Sequence, residues 1–328
     1  MLLSSLALAA DPIALEVVPT AQEGLGKPGI VLIVNQDAER LEARVDCGGA
    51  WAAHDGGAKK GDRIALELSV PAGHHSCSGK LAATFMDGSS GEMPLSFEVD
   101  MFAPLSVEVP RDSLKLETTT LSVVMDRTPE RVDVDVFGPR DAPIGSGTAP
   151  GIGTAAGEPL EVQWTGSGEV VRIHVKGTDE HGYWSAIDLF PWAYQIPHED
   201  VVFDTNQSVV RPGEAPKLEA AMVEVGEVRK KYGPAVPMNL YVAGYTDTVG
   251  DPYANQQLSN LRAASIAAWF RDNGFEGEIY FQGFGESVLA VDTPDSTDEP
   301  GNRRALYLLS AETPPMSTDL PRRDWQRL

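Results

Sequence analysis

Apolar and polar residues alternate with a period of two along the first part of this chain, to about residue 196. Gly, Pro and Asp-Gly dipeptides separate the alternating runs, and no convincing helical period interrupts them. Alternation between such turn signals is typical of short strands with one buried face. The pattern therefore predicts antiparallel β-sandwiches over residues 12–196. The clearest runs are residues 30–34, 63–68, 132–136, 160–164 and 170–175.

The β-rich region divides near Phe102-Ala103-Pro104. Each half has about 90 residues, which is close to the size of one immunoglobulin-like sandwich. We therefore expect one β-sandwich over residues 11–103 and a second over residues 104–196. A single larger sandwich over the whole region is the alternative.

Strand and helix patterns alternate after Pro197. This order predicts an α/β (α+β) domain with helices packed on a sheet, which we place at residues 198–312. The tail, residues 313–328, is rich in Pro, Ser and charge and is expected to be disordered. The predicted strands are residues 201–203, 238–245, 278–282 and 304–309, and the predicted helices are residues 214–232 and 255–272.

The chain has two cysteines, Cys47 and Cys77, and an apolar N-terminus. Residues 1–10 (MLLSSLALAA) end in small residues that fit an A-x-A cleavage site, although no Lys or Arg precedes them. We interpret this segment as a signal-peptide remnant and predict a soluble, exported, periplasmic protein. In an oxidising compartment the cysteines would form one disulfide, worth roughly 3 kcal/mol for a loop of this length. Two buried free thiols are the alternative.

The charge and the lack of reactive motifs exclude several functions. A net charge of −22 and a pI of about 4.6 argue against nucleic acid and anionic lipid headgroups as partners. No later stretch approaches the ~18 apolar residues of a transmembrane helix. His74-His75 lie near Cys77, but the four-ligand spacing of a zinc site is lacking. Because no nucleophile with a matching base is found either, we predict no metal, no cofactor and no enzymatic activity.

One charged pair stands out in the C-terminal region. Asp247 follows the predicted strand 238–245, at the edge of an α/β sheet where ligands usually bind. Asn255, Ser259 and Arg262 are spaced i, i+4, i+7, which places them on one face of the next helix.

An aspartate can accept from an ammonium, while an arginine fork and a helix N-terminus can bind a carboxylate. Asp247 and Arg262 therefore suit a ligand that carries both an amine and a carboxylate, and Gly250 permits the tight turn between them. A structural ion pair between Asp247 and Arg262, with Asn255 as a cap, is the alternative.

These residues belong to an ordered set of four motifs. The set resembles the C-terminal domain of outer-membrane protein A, which the peptidoglycan-associated lipoprotein and the flagellar stator protein MotB also carry. The resemblance covers about residues 198–312, roughly a third of the chain. The motifs are Thr246-Asp247-x-x-Gly250, Asn255-x-x-Leu258-Ser259-x-x-Arg262-Ala263, Gly283-Phe284-Gly285-Glu286 and Asn302-Arg303-Arg304.

The resemblance implies non-covalent binding of peptidoglycan through the diaminopimelate of its peptide stem. It implies that Asp247 meets the diaminopimelate amine and Arg262 its carboxylate. The chain departs from the family at Tyr245, where His is frequent, and at the acidic loop 295–301, which could weaken wall binding. The implied ligand-binding residues are Thr246, Asp247, Gly250, Asn255, Ser259, Arg262, Arg303 and Arg304.

Three functions are consistent with the predicted domains and motifs. The leading one is a non-enzymatic envelope protein, associated with the outer membrane or cell wall, whose sandwiches are a spacer or partner-binding arm. The second is an anchored subunit of a larger envelope or secretion assembly, in which residues 12–196 dock a protein partner. The third, a hydrolase with its active site in the sandwiches, is the weakest because no catalytic set supports it.

Overall fold

A computed structural model describes residues 11–322 and 324–328 of the chain. The signal-peptide remnant expected at residues 1–10 lies outside the described residues. The described chain is built mostly of strands in several sheets, with two α-helices near its C-terminal end. This is the predicted fold class, in which all-β sandwiches precede an α/β domain.

The first β-rich unit packs a three-stranded sheet against a five-stranded sheet. The strand orders are β1-β3-β6 and β2-β8-β7-β4-β5, and β2 runs parallel to β8. Alternate side chains of both sheets, such as Leu32, Leu41 and Val99, fill the core between them. The strands are β1 (Ile13–Val18), β2 (Thr20–Gln22), β3 (Gly29–Val34), β4 (Ala38–Cys47), β5 (Ala50–Ala58), β6 (Arg63–Glu67), β7 (Gly73–Phe85) and β8 (Ser90–Phe102).

The predicted disulfide is present in this unit. Cys47 and Cys77 lie on the neighbouring strands β4 and β7, with their Cα atoms 4.3 Å apart. Both cysteines are buried in the core between the sheets. The bond therefore joins adjacent strands of one sheet rather than crossing from one sheet to the other.

The second β-rich unit repeats the two-sheet arrangement. Its sheets have the orders β13-β10-β9 and β14-β12-β11-β15-β16. Its core includes Leu121, Val134 and Trp164 and is separate from that of the first unit, which favours two sandwiches over one larger sandwich. The strands are β9 (Val107–Glu108), β10 (Thr120–Met125), β11 (Pro129–Phe137), β12 (Pro143–Pro150), β13 (Pro159–Gln163), β14 (Thr165–Gly166), β15 (Arg172–Asp179) and β16 (Trp184–Leu189).

A buried ion pair connects the two sandwiches. Nε of Arg127 lies 3.1 Å from Oδ2 of the fully buried Asp179 in the second sandwich. The same guanidinium donates to the side chain of Gln22 and lies over the ring of Phe102, both in the first sandwich. Because Arg127 contacts residues of both sandwiches, it ties the two units together.

The C-terminal domain has a mixed sheet with helices on one face. The strand order is β17-β20-β18-β19-β21, in which only the β18–β19 pair is parallel. Gly244 lets α2 approach the sheet, since a Cβ there would lie 2.5 Å from the backbone oxygen of Ser259. The elements are β17 (Ala193–Gln195), α1 (Ala215–Tyr232), β18 (Asn239–Tyr245), α2 (Pro252–Asp272), β19 (Ile279–Gly285), β20 (Ala305–Ser310) and β21 (Gln326–Arg327).

The first strand of this sheet lies upstream of the position expected from the sequence. Residues 201–203, predicted as a strand, pair with no strand in the described structure, whereas β17 pairs with β20. The backbone N–H of Val202 donates instead to the carboxylate of Glu214 at 2.9 Å. A side chain thus takes the hydrogen bond that a neighbouring strand would have provided.

The tail expected to be disordered packs against the open face of the sheet. Leu320 is 5% exposed, and the ring of Trp325 meets Tyr241 edge to face. The hydroxyl of Tyr245 donates to the backbone oxygen of Asp319 at 2.7 Å, and β21 extends the sheet beside β19. The expectation failed because Leu320 and Trp325 pack on the sheet in spite of the polar composition of the tail.

Neither helix in the described ranges is apolar and long enough to cross a membrane.

Candidate functional site

The loop that follows β18 carries the first motif, and hydrogen bonds hold its shape. The backbone N–H of Thr246 donates to the oxygen of Gly285 at 2.9 Å, which fixes the start of the loop against β19. Gly250 has a φ of +107°, a conformation that side chains disfavour, so glycine allows the turn into α2. The hydroxyl of Thr246 is buried without a hydrogen-bond partner among the described residues.

Asp247 is nearly buried and is paired on one side only. Its Oδ2 accepts a 2.5 Å hydrogen bond from Nη1 of Arg303. Its Oδ1 has only a long 3.4 Å contact with the backbone N–H of Val249. A carboxylate can accept about four hydrogen bonds, so Oδ1 keeps room for a donor from a ligand.

Arg262 lies on the helix side of the same edge and has a different set of partners. Its Nε and Nη2 donate to the backbone oxygens of Gln207 and Asp204 at 3.0 and 3.4 Å. Its guanidinium lies 5.0 Å from the ring centre of Phe203. No carboxylate of the described residues is paired with Arg262, so the ion pair at this edge is Asp247–Arg303 and not Asp247–Arg262.

The charges at this edge influence one another. Burial lowers the pKa of Arg262, the nearby carboxylate of Asp247 partly offsets this effect, and the positive charge of Arg303 adds to it. Hydrogen bonds to Asp298 and Asp247 raise the pKa of Arg303. Arg262 is therefore a partly buried cation without a counter-charge bonded to it, which favours binding of an anion.

A cavity of about 270 Å³ opens beside Arg262 and Arg303, and Asp247 is not among the residues that line it. Arg262 and Arg303 contribute to its wall, together with the apolar side chains of Phe203 and Ile266. Such a mixture of apolar walls and a few charged groups is typical of a small-molecule site. The lining is Asp200, Val201, Val202, Phe203, Gly244, Tyr245, Arg262, Ala263, Ile266, Pro300, Arg303, Arg304 and Ala305.

Asn255 and Ser259 support the site from α2. The amide nitrogen of Asn255 donates to the oxygen of Val249 at 3.1 Å and to Oε2 of Glu286 at 2.6 Å, so it pins the loop to the helix. The hydroxyl of Ser259 accepts from the N–H of Gly285 and is fully buried. Both lie on the predicted helix face, but their polar atoms bond within the protein.

The N-terminus of α2 has its own cap. Oδ1 of Asp251 accepts from the backbone N–H of Ala254 at 3.0 Å. The Asp251 carboxylate therefore occupies one of the free backbone N–H groups of the helix N-terminus, which we expected from the sequence to bind a ligand carboxylate.

Arg304 lies on the opposite face of the sheet from the helices. Its guanidinium stacks over Tyr245 at 4.1 Å and donates to Oδ1 of Asp319 in the tail at 2.9 Å. Arg304 is also among the residues that line the cavity, but its guanidinium bonds to Asp319 in the tail and to the backbone oxygen of Val288. Of the two neighbouring arginines, Arg303 alone bonds to Asp247 in the described structure.

The acidic loop 295–301 adds a residue that the sequence did not single out. The carboxylate of Asp298 also bonds to Nη1 of Arg303, beside Asp247. Phe203 was missed as well, because its contact with Arg262 joins segments far apart in the chain. The excess of acidic residues in this loop was the only signal for Asp298, and nothing local indicated Phe203.

Comparison with known proteins gives a consistent result for this region. Residues 202–304 match the OmpA family. The chain is 35% identical to outer membrane protein A of Shimwellia blattae over 108 residues, which are 33% of this chain and 42% of that protein. It is 39% identical to the outer-membrane lipoprotein YfiB of Pseudomonas aeruginosa over 70 residues, 21% of this chain and 42% of that one.

Two further similarities involve a much longer protein and a solved structure. The chain is 34% identical to a photosystem I chlorophyll a apoprotein of Gloeobacter violaceus over 126 residues, 36% of this chain and 14% of that protein. The OmpA-like domain of FopA1 from Francisella tularensis is 15% identical, covers 43% of this chain and 74% of that one, and gives a TM-score of 0.27. The chain spans less than half the length of each of the three relatives compared by sequence.

Proposed function

We propose that this chain, in which residues 202–304 form an OmpA-family domain, is a non-enzymatic envelope protein that binds peptidoglycan. The binding is non-covalent and takes place through the diaminopimelate of the peptide stem. The observation that carries the proposal is the uneven pairing at the edge of the C-terminal sheet. Asp247 has an oxygen with spare hydrogen-bonding capacity, and Arg262 has no bonded carboxylate among the described residues.

The far end of diaminopimelate fits this arrangement chemically. It carries an ammonium and a carboxylate on one carbon, so the two charges must be met at neighbouring positions. The ammonium donates to Oδ1 of Asp247, and the carboxylate accepts from Arg262, whose planar fork suits two parallel hydrogen bonds. Phe203 holds the guanidinium in place, and the low exposure of Asp247 strengthens its attraction for the ammonium.

The other residues implied by the family motifs have supporting roles in this proposal. Arg303 orients Asp247 and limits the negative charge that faces the ligand. Asn255 and Gly250 shape the loop, and Ser259 fixes β19 below it. Thr246 begins the loop and Arg304 anchors the tail, so neither is required to touch the ligand.

The two sandwiches form an arm that extends from the wall-binding domain. The carboxylate of Glu169 accepts from the hydroxyl of Tyr232 on α1 at 2.8 Å, and Arg111 pairs with Glu312 at 2.8 Å. These contacts attach the second sandwich to the C-terminal domain, and in this proposal the two sandwiches act as a spacer between the wall and a further envelope component. The proposed location is the periplasm, at the outer membrane or the cell wall.

Sedimentation of the full chain with purified diaminopimelate-type peptidoglycan tests the proposal. The parent protein should sediment with the wall. Asp247→Ala and Arg262→Ala should each bind at least about 30-fold more weakly, because each leaves one charge of the bound diaminopimelate without its partner. Arg271→Ala is the matched control, since Arg271 lies on the same helix but is exposed and pairs with Asp272. Failure of the parent protein to sediment, or unchanged binding by both site variants, would reject the proposal.

A further inference from the structure

An acidic residue outside the family motifs shares an arginine with Asp247. Nη1 of Arg303 donates to Oδ2 of Asp247 and also to Oδ1 of Asp298. Two carboxylates therefore surround one guanidinium, whereas Arg262 has only backbone oxygens as hydrogen-bond partners in the described ranges. Two negative charges and one positive charge leave these three residues with a net charge of −1, and Arg262 lies nearby as a cation without a bonded carboxylate in the part of the chain that the structure describes.

The position of Asp298 is fixed by the loop that carries it. The hydroxyl of Thr248, in the Asp247 loop, donates to the oxygen of Pro294 at 2.8 Å and accepts from the N–H of Thr297 at 3.0 Å. The fully buried Asn302 holds the other end through two backbone N–H groups that donate to its Oδ1. Since both ends are attached, the negative charge of Asp298 stays beside the site.

We propose that Asp298 is a specificity-determining residue for the stem peptide. The far carboxylate of diaminopimelate can be free or amidated. Asp298 reduces the preference of the site for the free acid over the amide. The inference rests on the proposed function, because it concerns the ligand at the same site.

The reason is electrostatic. The free acid end of diaminopimelate carries one positive and one negative charge, so Asp298 attracts its ammonium but repels its carboxylate. The amidated end carries only the ammonium, which both Asp247 and Asp298 attract. Without Asp298, the site would no longer repel the carboxylate of the free acid and would attract the ammonium of the amide less. It would therefore favour the free acid more strongly.

The size of the effect follows from exposure. The side chain of Asp298 is 77% exposed and that of Arg303 is 39% exposed, so water and salt screen their influence on a ligand. We expect Asp298 to alter the ratio of the two affinities about threefold at low salt.

Titration calorimetry with two soluble tripeptides provides the test. Both contain L-Ala, γ-D-Glu and diaminopimelate, and they differ only in a free carboxylate or a carboxamide at the far end. The Asp298→Asn protein should show a ratio of Kd(amide) to Kd(acid) that is about threefold higher than that of the parent, and the difference should shrink as salt rises. Asp298→Glu, which keeps the charge, should retain the parental ratio.

The control and the outcomes separate the two proposals. Asp292→Asn removes an exposed carboxylate a few residues upstream and should leave the ratio unchanged. If Asp298→Asn shifts both affinities equally or leaves the ratio at the parental value, Asp298 only positions Arg303 and the inference is wrong. If the parent binds neither tripeptide, the proposed function itself fails.

Discussion

An exposed ion pair of the first sandwich and the charged edge of the C-terminal sheet are arranged differently. In the first sandwich, Arg40 and Asp55 pair across neighbouring strands, and their side chains are 60% and 63% exposed. In the C-terminal domain, Asp247 is 11% exposed in its side chain, and the nearby Arg262 has no paired carboxylate among the described residues. An exposed pair satisfies itself and contributes little, whereas a partly buried, unevenly paired group is prepared for a ligand.

This comparison predicts that changes in the sandwiches alter stability alone, while changes at the sheet edge alter binding. The largest expected effect is loss of the disulfide. Replacing Cys47 and Cys77 together by Ala should destabilise the first sandwich by about 3 kcal/mol, because the bond closes a long loop in the unfolded chain. Hydrogen exchange of the backbone amides of residues 29–102 at increasing denaturant concentration measures this loss of stability.

Peptidoglycan binding by the same double variant should remain at the parental level under conditions where it is folded. A loss of binding that follows the loss of stability would show that the first sandwich contributes to the site, and the separation of roles would be wrong.

The second effect concerns the tail. Leu320→Ala removes a buried side chain between the tail and the sheet, so we expect a loss of about 2–3 kcal/mol in the free energy of unfolding of the C-terminal domain. Calorimetric unfolding of the full chain measures it. Met316→Ala, at an exposed position of the same tail, should change stability by less than about 0.5 kcal/mol. Equal, small effects of both changes would indicate that the tail does not pack on the sheet in solution.

The third effect distinguishes two neighbouring arginines. Arg303→Ala should weaken wall binding about tenfold, because Asp247 loses its partner and becomes less well oriented. Arg304→Ala should leave the affinity within about twofold of the parent but lower the melting temperature, since Arg304 bonds to Asp319 in the tail. Sedimentation with peptidoglycan and thermal melts of the two variants measure these effects. Weaker wall binding by Arg304→Ala than by Arg303→Ala would contradict the prediction.

The smallest effect depends on pH. A backbone hydrogen bond from Val202 and contacts with Lys217 and Arg211 lower the pKa of Glu214 from its ordinary 4.5. Because the folded-state pKa is depressed, this stabilisation is present above about pH 4.5 and is lost as the pH falls through the folded-state pKa. Glu214→Gln should be slightly less stable than the parent at pH 7, and the difference should shrink as the pH falls below 4.5. A difference that does not shrink as the pH falls would contradict the assignment.

The sequence predicted the local features of the C-terminal domain well. Both helices begin and end within a few residues of their predicted limits, because their apolar spacing and the Gly or Pro residues beyond them act locally. The helical spacing also placed Asn255 and Ser259 on the buried face of α2, where the structure has them.

The partner of each charge could not be predicted in this way. Arg303 reaches Asp247 beside a loop, residues 294–301, that is bonded to Thr248, and Phe203 meets Arg262 from a distant part of the sequence. Such contacts depend on tertiary packing, for which one sequence contains no local signal. The same limit applies to Leu320, whose burial depends on the sheet face opposite the helices.

Competition for wall binding tests the central claim most directly. The full chain is bound to peptidoglycan and titrated with the tripeptide L-Ala-γ-D-Glu-diaminopimelate or with L-Ala-γ-D-Glu-L-Lys, which lacks only the carboxylate at the far end. We predict that the diaminopimelate peptide releases the protein at a concentration at least about tenfold lower than the lysine peptide does, because only the former meets both Asp247 and Arg262. Release by both peptides at the same concentration would contradict the account.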